Sequence, residues 1–381
     1  MVTIQVMTSG MNIPLREIVT AASLGVLMQG SNLLGAVIPI TDANVLEGLS
    51  LYNWVCKGDS ISSTVNGASI KMKFKGTRQV ALRVATDHLT TKVPARFPII
   101  AWSVNGGAPQ SHQLVAKEAV VLLSAGVADP LIELYIKGLS PFEDRFSGDV
   151  PGNAVKITGI AVEDGGSVVK GIFSDKVWLN IGDSIMSGDG AAYAAGQGRP
   201  ADDAWAASED GRASYGYLLA RHYGYRESRI AYGGYGWGGG MACLPGLSTL
   251  IDQQTSTVRR WPADALSPRP AVVLINLGEN GAPAEGVVAQ ALGKLRSRVK
   301  QTTKILVMIP VSGRARVEVT RAFHNYMNSA QDKNAYLVDL GQVKFATCDG
   351  QHPTAAGHQT IYASALPFLD PIVGQAGKTG N

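Results

Sequence analysis

The hydrophobic pattern of this chain changes near residue 170, and the change divides the chain between two classes of fold. From about residue 50 to residue 170, short apolar runs alternate with period two and are separated by turn residues. Such runs lie at 68–74, 79–85, 97–104, 119–123, 131–137 and 155–162. Because no helical period comes between them, they predict an antiparallel β-sandwich, which we expect to be jelly-roll-like.

From about residue 175, apolar runs take turns with amphipathic stretches. They lie, in order, at 177–181, 215–222, 229–232, 271–277, 287–299, 305–310, 316–327, 335–340 and 355–366. Strand and helix in alternation predict an α/β fold in which helices cover both faces of a parallel sheet. In such a three-layer domain, we expect the active site at the carboxyl ends of the strands.

The length of 381 residues exceeds the usual size of a single core, so we expect two domains. The sequence predicts the sandwich at 49–172 and the α/β domain at 173–381. The segment 1–48 is harder to assign, although 15–27 is a candidate helix within it.

Charge and cysteine content argue against several classes of protein. A net charge of +4 without a basic block predicts no nucleic-acid partner. Cys56, Cys243 and Cys348 are widely spaced, which rules out a fully paired disulfide framework and does not match a zinc site. One disulfide with a free thiol remains open.

The first 19 residues lack the basic start and continuous apolar stretch of a signal peptide, and no segment has the 18 apolar residues that span a bilayer. We therefore expect a soluble chain without a membrane partner. The sequence leaves open whether it acts outside a cell, and in what oligomeric state.

A serine directly follows the first predicted strand of the α/β domain, in the tripeptide Gly182-Asp183-Ser184. At the carboxyl edge of a sheet, in a glycine-bearing turn, its hydroxyl is accessible and its own N–H can point at a substrate oxygen. Ser184 is therefore a candidate nucleophile. Since Gly, Asp and Ser are common in turns, an ordinary loop is the alternative.

An aspartate and a histidine lie three residues apart just before the last helical stretch. Asp349 can curl back to accept the Nδ1 proton of His352, which leaves Nε2 facing a nucleophile. Pro353 suits the first turn of a helix and fixes where His352 leaves the loop. A solvated cap is the alternative, and His358, on the helix itself, is expected to be a core or supporting residue.

Two glycine-containing loops follow the intervening strands and offer oxyanion donors. Gly236 is the candidate in the first loop, with Gly234 and Gly238 as alternatives, because glycine lets a backbone N–H approach a ligand. Asn280 in the second loop has an amide that can donate to the same oxygen. Each loop alone is compatible with an ordinary turn, so the order of the blocks along the chain is the stronger argument.

Along the chain, the four blocks come in the order Ser184, Gly236, Asn280, and Asp349 with His352. In this order they resemble the SGNH hydrolase superfamily, also called GDSL esterases and lipases, over about residues 175–370. The resemblance implies a serine esterase with Ser184 as nucleophile, His352 as base and Asp349 as acid. It also implies an oxyanion hole formed by the N–H groups of Ser184 and Gly236 with the amide of Asn280. This chemistry requires no metal or organic cofactor.

Two positions depart from the family pattern. Gly281 stands where the family usually has aspartate, and Ile185 stands where it usually has leucine. Neither position carries the chemistry, but Gly281 can change how the loop of Asn280 is braced.

The predicted sandwich adds a second resemblance. The stretches 70–77 and 99–106 look like the jelly-roll that precedes the SGNH domain in carbohydrate esterase family two and its relatives, which deacetylate polysaccharides. This implies an acetyl O-ester on a polysaccharide or oligosaccharide as substrate. Trp237 and Trp205 are candidate substrate-binding residues, because indole rings can stack on sugars, and core packing is the alternative for both.

Three other functions stay open. A lipase, aryl esterase or thioesterase uses the same triad, since triad geometry reads neither the alcohol nor the acyl chain. A carbohydrate-binding module with a vestigial hydrolase domain fits the fold, although the presence of all three triad residues argues against it. The sandwich is also compatible with a docking domain for a partner protein.

Overall fold

The computed structural model describes residues 35–171, 173–241, 243–260 and 269–374. These residues fall in one of the two units into which the chain divides, the unit 34–381. The candidate helix at 15–27 lies outside the described residues.

In the described chain, the N-terminal part contains eleven strands and one short helix. The strands are β1 (Ala36–Pro39), β2 (Val55–Lys57), β3 (Ser60–Ser63), β4 (Ser69–Lys75), β5 (Val80–Ala85), β6 (Ile99–Val104), β7 (Gln110–Gln113), β8 (Val120–Ser124), β9 (Leu131–Gly138), β10 (Val155–Val162) and β11 (Ser167–Val169). The helix is α1 (Ala43–Glu47), and a 3₁₀ turn spans Pro94–Arg96.

These strands form two antiparallel sheets. One has the order β2-β3-β10-β5-β8, with β1 paired to β10, and the other has the order β11-β4-β9-β6-β7. The period-two pattern accounts for the packing: in β4, Met72 and Phe74 are buried, whereas Lys73 and Lys75 are exposed. The prediction of an antiparallel sandwich is confirmed, and its jelly-roll connectivity stays a prediction.

The sandwich begins before the predicted boundary at residue 49. Strand β1 pairs in register with β10, from Ala36 opposite Val162 to Pro39 opposite Gly159. Its four residues are too few to produce a recognisable alternation, and α1 follows them directly. The division into domains at residues 172 and 173 stays a prediction.

Five parallel strands form the second part, as predicted. They are β12 (Val177–Gly182), β13 (Arg226–Ala231), β14 (Val272–Asn276), β15 (Lys304–Met308) and β16 (Ala335–Val338), in the order β13-β12-β14-β15-β16. The helices of the described residues are α2 (Ser184–Ser187), α3 (Trp205–Ser208), α4 (Tyr215–His222), α5 (Leu247–Leu250), α6 (Val287–Arg298), α7 (Arg316–Ala330) and α8 (Ala355–Val373), with a 3₁₀ turn at Gly211–Ala213.

The order of the strands places a crevice at the end of β12. Strand β13 pairs with one side of β12 and β14 with the other, so the chain reverses its direction across the sheet at this strand. At such a switch point the loops that follow neighbouring strands diverge and leave room for a ligand. The loops after β12, β13 and β14 are those that carry Ser184, Gly236 and Asn280.

Buried polar contacts join the sandwich to the parallel sheet. The fully buried guanidinium of Arg229, in β13, donates to Glu227 Oε1 at 2.7 Å and to the carbonyl of Met186 at 3.1 Å. From the sandwich, the amide of Asn53 donates to the carbonyl of Arg229. Because Met186 belongs to α2, Arg229 ties the turn that carries Ser184 to both parts of the protein.

Candidate active site

Strand β12 ends at the switch point, and Ser184 follows it two residues later. All six residues of β12 are buried, and the strand ends at Gly182, where a Cβ would lie 2.3 Å from the Cβ of Met186. Only glycine permits this approach. Asp183 then caps α2 by accepting a hydrogen bond from the N–H of Ile185 at 3.1 Å. Ser184 is thereby the first residue of the helical turn and is 3% exposed.

The structure brings Ser184, His352 and Asp349 together, although 168 positions separate the serine from the histidine. His352 Nε2 lies 3.1 Å from Ser184 Oγ, and His352 Nδ1 lies 2.7 Å from Asp349 Oδ2. With the carboxylate on Nδ1, the imidazole carries its proton on that nitrogen and presents Nε2 as an acceptor to the serine hydroxyl.

The Asp349 carboxylate is held by its own loop. Its Oδ1 accepts hydrogen bonds from the backbone N–H groups of Gln351 at 3.0 Å and His352 at 2.8 Å. Burial raises the pKa of Asp349, but the hydrogen bonds from the backbone and ring of His352 outweigh burial and hold the pKa below its ordinary value. The carboxylate is therefore ionised at neutral pH.

The backbone of Gly190 lies close to Cys348 and His352. Gly190 has φ +78°, and a Cβ there would lie 2.8 Å from both Cys348 Sγ and His352 Cβ. Cys348 is 1% exposed, and burial raises the pKa of its thiol to about 11. Cys348 thus fills space behind the triad as a neutral thiol, and all three cysteines are free of disulfides.

Trp205 packs directly against the imidazole. The two rings are nearly perpendicular, at 89°, with centroids 5.4 Å apart. The indole is 6% exposed, and its Nε1 donates to Asp189 Oδ2 at 3.0 Å. Trp205 therefore packs against His352 and has little surface left for a sugar, so the structure favours the alternative of core packing over a stacking platform.

Asp189 belongs to a hydrogen-bonded chain that sequence reasoning missed. Its Oδ1 accepts from Ser187 Oγ at 2.7 Å, and Ser187 Oγ accepts from Asn66 Nδ2 at 2.9 Å. Asn66 lies in the sandwich, so this chain runs from the sandwich through Asp189 and Trp205 to the imidazole. The nearness of Ser187 and Asp189 to Ser184 in sequence was the available signal, whereas nothing pointed to Asn66.

The predicted oxyanion donors differ in whether their hydrogens are already bonded within the protein. The N–H of Gly236 donates to the carbonyl of Gly239 at 2.9 Å, so in this conformation it is engaged within its own loop. Asn280 Nδ2 donates to the carbonyl of Tyr235 at 2.9 Å, which links the two loops and leaves the second amide hydrogen free. Ser184 begins α2, and its N–H has no backbone acceptor among the described residues.

The structure does not support Trp237 as a sugar-binding residue. Its side chain is 1% exposed, and Nε1 donates to the carbonyl of Leu277 at 3.0 Å. A ring enclosed in this way packs the loop of Gly236 against the end of β14 and offers no face to a ligand.

A polar cleft of about 460 Å³ lies beside the triad. It is lined by Gly278, Glu279, Asn280, Gly281, Ala282, Arg314, Ala315 and Gln351. Since Gln351 directly precedes His352 and Asn280 is a predicted oxyanion donor, the cleft opens next to the predicted position of the ester.

Among the described residues, no group of three or more His, Cys, Asp or Glu side chains is arranged to hold a metal ion. In that part of the chain, no helix is both long and apolar enough to cross a bilayer.

Comparison with known proteins identifies the C-terminal part. The family model for the GDSL-like lipase/acylhydrolase domain matches residues 179–364, from within β12 to within α8. The matched range includes every block that carries a predicted catalytic or oxyanion residue. Among curated protein sequences, none matches this chain significantly.

Solved structures extend the likeness to both parts of the chain. A family two carbohydrate esterase from Cellvibrio japonicus aligns with TM-score 0.71 and 14% identity over 88% of this chain and 97% of its own. An acetyl xylan esterase from Butyrivibrio proteoclasticus aligns with TM-score 0.70 and 15% identity over 89% and 99%. A family two carbohydrate esterase from Clostridium thermocellum, in complex with cellohexaose, aligns with TM-score 0.63 and 18% identity over 90% and 99%.

At these identities the structural likeness concerns the fold, which is a sandwich followed by a parallel α/β domain. The family match and the fold together confirm the resemblance to SGNH hydrolases and to the two-domain carbohydrate esterases. The chain therefore carries, at residues 179–364, a domain that matches the GDSL-like lipase/acylhydrolase family, and it is a carboxylic ester hydrolase.

Proposed function

We propose that this hydrolase is a serine esterase that removes acetyl groups from O-esters of a polysaccharide or oligosaccharide. The observation that carries the proposal is the pair of distances that connects Ser184 Oγ to His352 Nε2, at 3.1 Å, and His352 Nδ1 to Asp349, at 2.7 Å. A serine hydroxyl in reach of an imidazole whose other nitrogen is held by a carboxylate is the arrangement that activates a nucleophile.

The reaction proceeds through an acyl-enzyme. His352 Nε2 takes the hydroxyl proton while Ser184 Oγ attacks the ester carbonyl carbon. The tetrahedral intermediate then expels the sugar oxygen, which receives the proton from His352, and acetyl-serine remains. His352 next deprotonates a water molecule that attacks the acetyl carbon, and acetate leaves as the serine regains its proton. Asp349 stays ionised throughout and stabilises the imidazolium, a role that its lowered pKa suits.

The oxyanion is held by the N–H of Ser184 and the free amide hydrogen of Asn280. The other hydrogen of that amide is bound to the carbonyl of Tyr235, so the donor is fixed before the substrate arrives. Gly236 joins as a third donor only if its bond to Gly239 opens on substrate binding.

A carbohydrate is the substrate class that the comparisons favour. Similar folds occur in carbohydrate esterases of family two and in an acetyl xylan esterase, and one such structure holds cellohexaose. The polar cleft beside Asn280 has a volume in the range typical of small-ligand sites. Because Trp237 and Trp205 are buried, polar groups of this cleft, rather than the two indole rings, contact the sugar in this proposal.

The test compares p-nitrophenyl acetate, butyrate and octanoate as substrates of the wild type and of Ser184→Ala. The acetate ester should be hydrolysed fastest, and Ser184→Ala should lose the activity with an unchanged circular dichroism spectrum. Ser103→Ala is the control, because it removes a buried hydroxyl from β6, far from the triad in sequence. This variant should retain the esterase activity. A mass increase of one acetyl group on Ser184, trapped by rapid acid quench, would identify the intermediate.

Other results lead elsewhere. Preference for the octanoate ester would replace the carbohydrate proposal with a lipase. Activity that survives in Ser184→Ala, or no activity in either protein, would overturn the triad assignment and favour a carbohydrate-binding module.

A further inference from the structure

We infer that the cleft beside Asn280 binds a carboxylate of the substrate, and that the natural substrate is an O-acylated glycan containing uronic acid. This inference rests on the proposed function and extends it to the class of polysaccharide. Its basis is Arg314, a cation in the wall of the cleft that forms no ion pair with any described carboxylate.

The position of Arg314 relates it to the reacting ester. Asn280 and Gln351 form the part of the cleft nearest the triad, and Arg314 with Ala315, just before α7, forms another part of its lining. A sugar whose ester carbonyl lies at Asn280 therefore has its own substituents, or those of the next sugar, within the space that Arg314 lines.

The guanidinium is anchored but not neutralised. Arg314 Nη1 donates to the backbone carbonyl of Glu279 at 3.2 Å, and the Arg314 N–H donates to Ser312 Oγ at 3.1 Å. Arg314 is exposed, and among the described residues its guanidinium forms no further hydrogen bond, so the other N–H groups of its fork are available to a ligand. This anchoring to a carbonyl holds a full positive charge at the cleft.

Glu279 also lines the cleft, and its carboxylate already accepts hydrogen bonds from Ser312. Glu279 is 2% exposed, and its two oxygens accept from the N–H of Ser312 at 3.2 Å and from Ser312 Oγ at 2.7 Å. Glu279 therefore positions the segment before Arg314 and does not take up its charge through an ion pair.

A second arginine, Arg199, follows a residue that is hydrogen-bonded to the loop of Cys348 and His352. The guanidinium of Arg199 stands 5.4 Å from the ring of Trp205, and the preceding Gly198 donates to the carbonyl of Cys348 at 2.7 Å. Asp202 and Asp203 occur in the same segment, but neither forms an ion pair with Arg199 in the described structure. Arg199 thus places a second cation beside Trp205, the residue that packs against His352.

The chemistry of the guanidinium selects the carboxylate. Its planar fork can form two parallel hydrogen bonds to the two oxygens of a carboxylate, and these charge-assisted bonds are about twice as strong as neutral ones. A sugar hydroxyl offers a single neutral acceptor. Uronic acids carry such a carboxylate on the sugar ring, so they are the units that we assign to this cleft.

The experiment uses two polymers that differ only in charge. One is chemically O-acetylated polygalacturonate, and the other is a portion of the same acetylated polymer whose carboxylates are converted to neutral amides, so that both carry the same acetyl groups. Release of acetate gives kcat/KM for each. The wild type should prefer the acidic polymer by about tenfold, the ratio that one charge-assisted contact supplies, and added salt should weaken the preference.

Variants assign that preference to Arg314. Arg314→Gln should reduce the preference to about twofold or less, and Arg314→Lys should retain part of it, because it keeps the charge without the fork. Arg321→Gln removes an exposed arginine of α7 and should keep the wild-type ratio.

The outcomes separate the two proposals. Equal kcat/KM for both polymers, or a preference that survives in Arg314→Gln, overturns the uronic-acid inference and leaves the esterase standing. Failure of the wild type on both polymers and on p-nitrophenyl acetate overturns the esterase proposal, and the inference falls with it.

Discussion

Trp205 and His352 form a perpendicular ring pair in which the indole is also bound to Asp189, so the orientation of the imidazole depends on a residue outside the triad. Aromatic pairs of this geometry contribute about 0.5–1.5 kcal/mol beyond burial. Trp205 contacts the imidazole ring of His352, whereas Asp349 is hydrogen-bonded to its Nδ1. Two independent contacts therefore define where Nε2 points.

Trp205→Phe should keep a ring against His352 but lose the hydrogen bond to Asp189. The imidazole then gains freedom, and because small misplacements of reacting groups are costly, kcat for p-nitrophenyl acetate should fall about tenfold with little change in KM. Trp54→Phe is the matched control, since Trp54 is a buried sandwich residue whose Nε1 donates to the carbonyl of Ser69 at 3.2 Å. It should lose similar stability and retain kcat. Equal kcat in wild type and Trp205→Phe would show that the hydrogen bond to Asp189 is not needed to orient the imidazole.

Gly190→Ala should damage the site through the loop of His352. The new Cβ would meet Cys348 Sγ and His352 Cβ at 2.8 Å, so the histidine has to move and kcat should fall by at least about tenfold. Gly196→Ala is the control, because it has a similar φ of +70° but nothing within 4 Å of its Cβ. Both variants should lose about 1–2 kcal/mol of stability from left-handed backbone, measured by urea unfolding. A similar loss of kcat in both would mean that backbone strain, not the contact, is responsible.

Much of the fold followed from periodicity because each predicted run is long enough to bury one face. The predicted run at 287–299 became α6, and that at 131–137 became β9. The strands that escaped prediction are short: β1, β2, β3, β7 and β11 have three or four residues, too few to distinguish a strand from a turn. Their position depends on pairing with other strands, such as β10, β6 and β4, which local sequence does not encode.

The site was predictable where the chemistry is local. Asp349 and His352 are three residues apart, and Ser184 follows a buried strand, so motif and spacing were sufficient to place them. The roles of Trp205 and Trp237 were not predictable, because an indole looks the same in sequence whether its face is open or enclosed. Likewise, Asn66 reaches the site only through the contact between sandwich and sheet.

Asn280→Ala should lower kcat by about 10²–10³, because it removes a fixed donor to the oxyanion. It also removes the bond to the carbonyl of Tyr235, at a cost to stability of about 1 kcal/mol. Asn44→Ala is the control, since Asn44 Nδ2 makes a comparable bond of 3.0 Å to the carbonyl of Val168 in the sandwich. Stopped-flow measurement of the acylation burst should show the loss in Asn280→Ala and none in Asn44→Ala. A loss below about threefold would remove Asn280 from the oxyanion hole.

His358 should make the protein less stable as the pH falls from neutral. Burial, together with the charges of Arg229 and His352, lowers the pKa of His358 to about 3, and its Nδ1 accepts a hydrogen bond from the N–H of Tyr215 at 3.3 Å. In the unfolded chain the histidine has its ordinary pKa of 6.5. Between pH 6.5 and about pH 3, His358 binds a proton in the unfolded state but not in the folded state. The free energy of unfolding therefore decreases as the pH falls through this interval.

His358→Asn keeps an acceptor for the N–H of Tyr215 but cannot be protonated in this range. The melting temperature of this variant should therefore fall less steeply than that of the wild type between pH 7 and pH 4. His324→Asn, at an exposed position of α7, should retain the wild-type dependence. If His358→Asn also retained it, protonation of His358 in the unfolded state would not be what destabilises the protein in acid, and the decline would have to come from carboxylates such as Asp349, whose pKa is lowered in the folded protein.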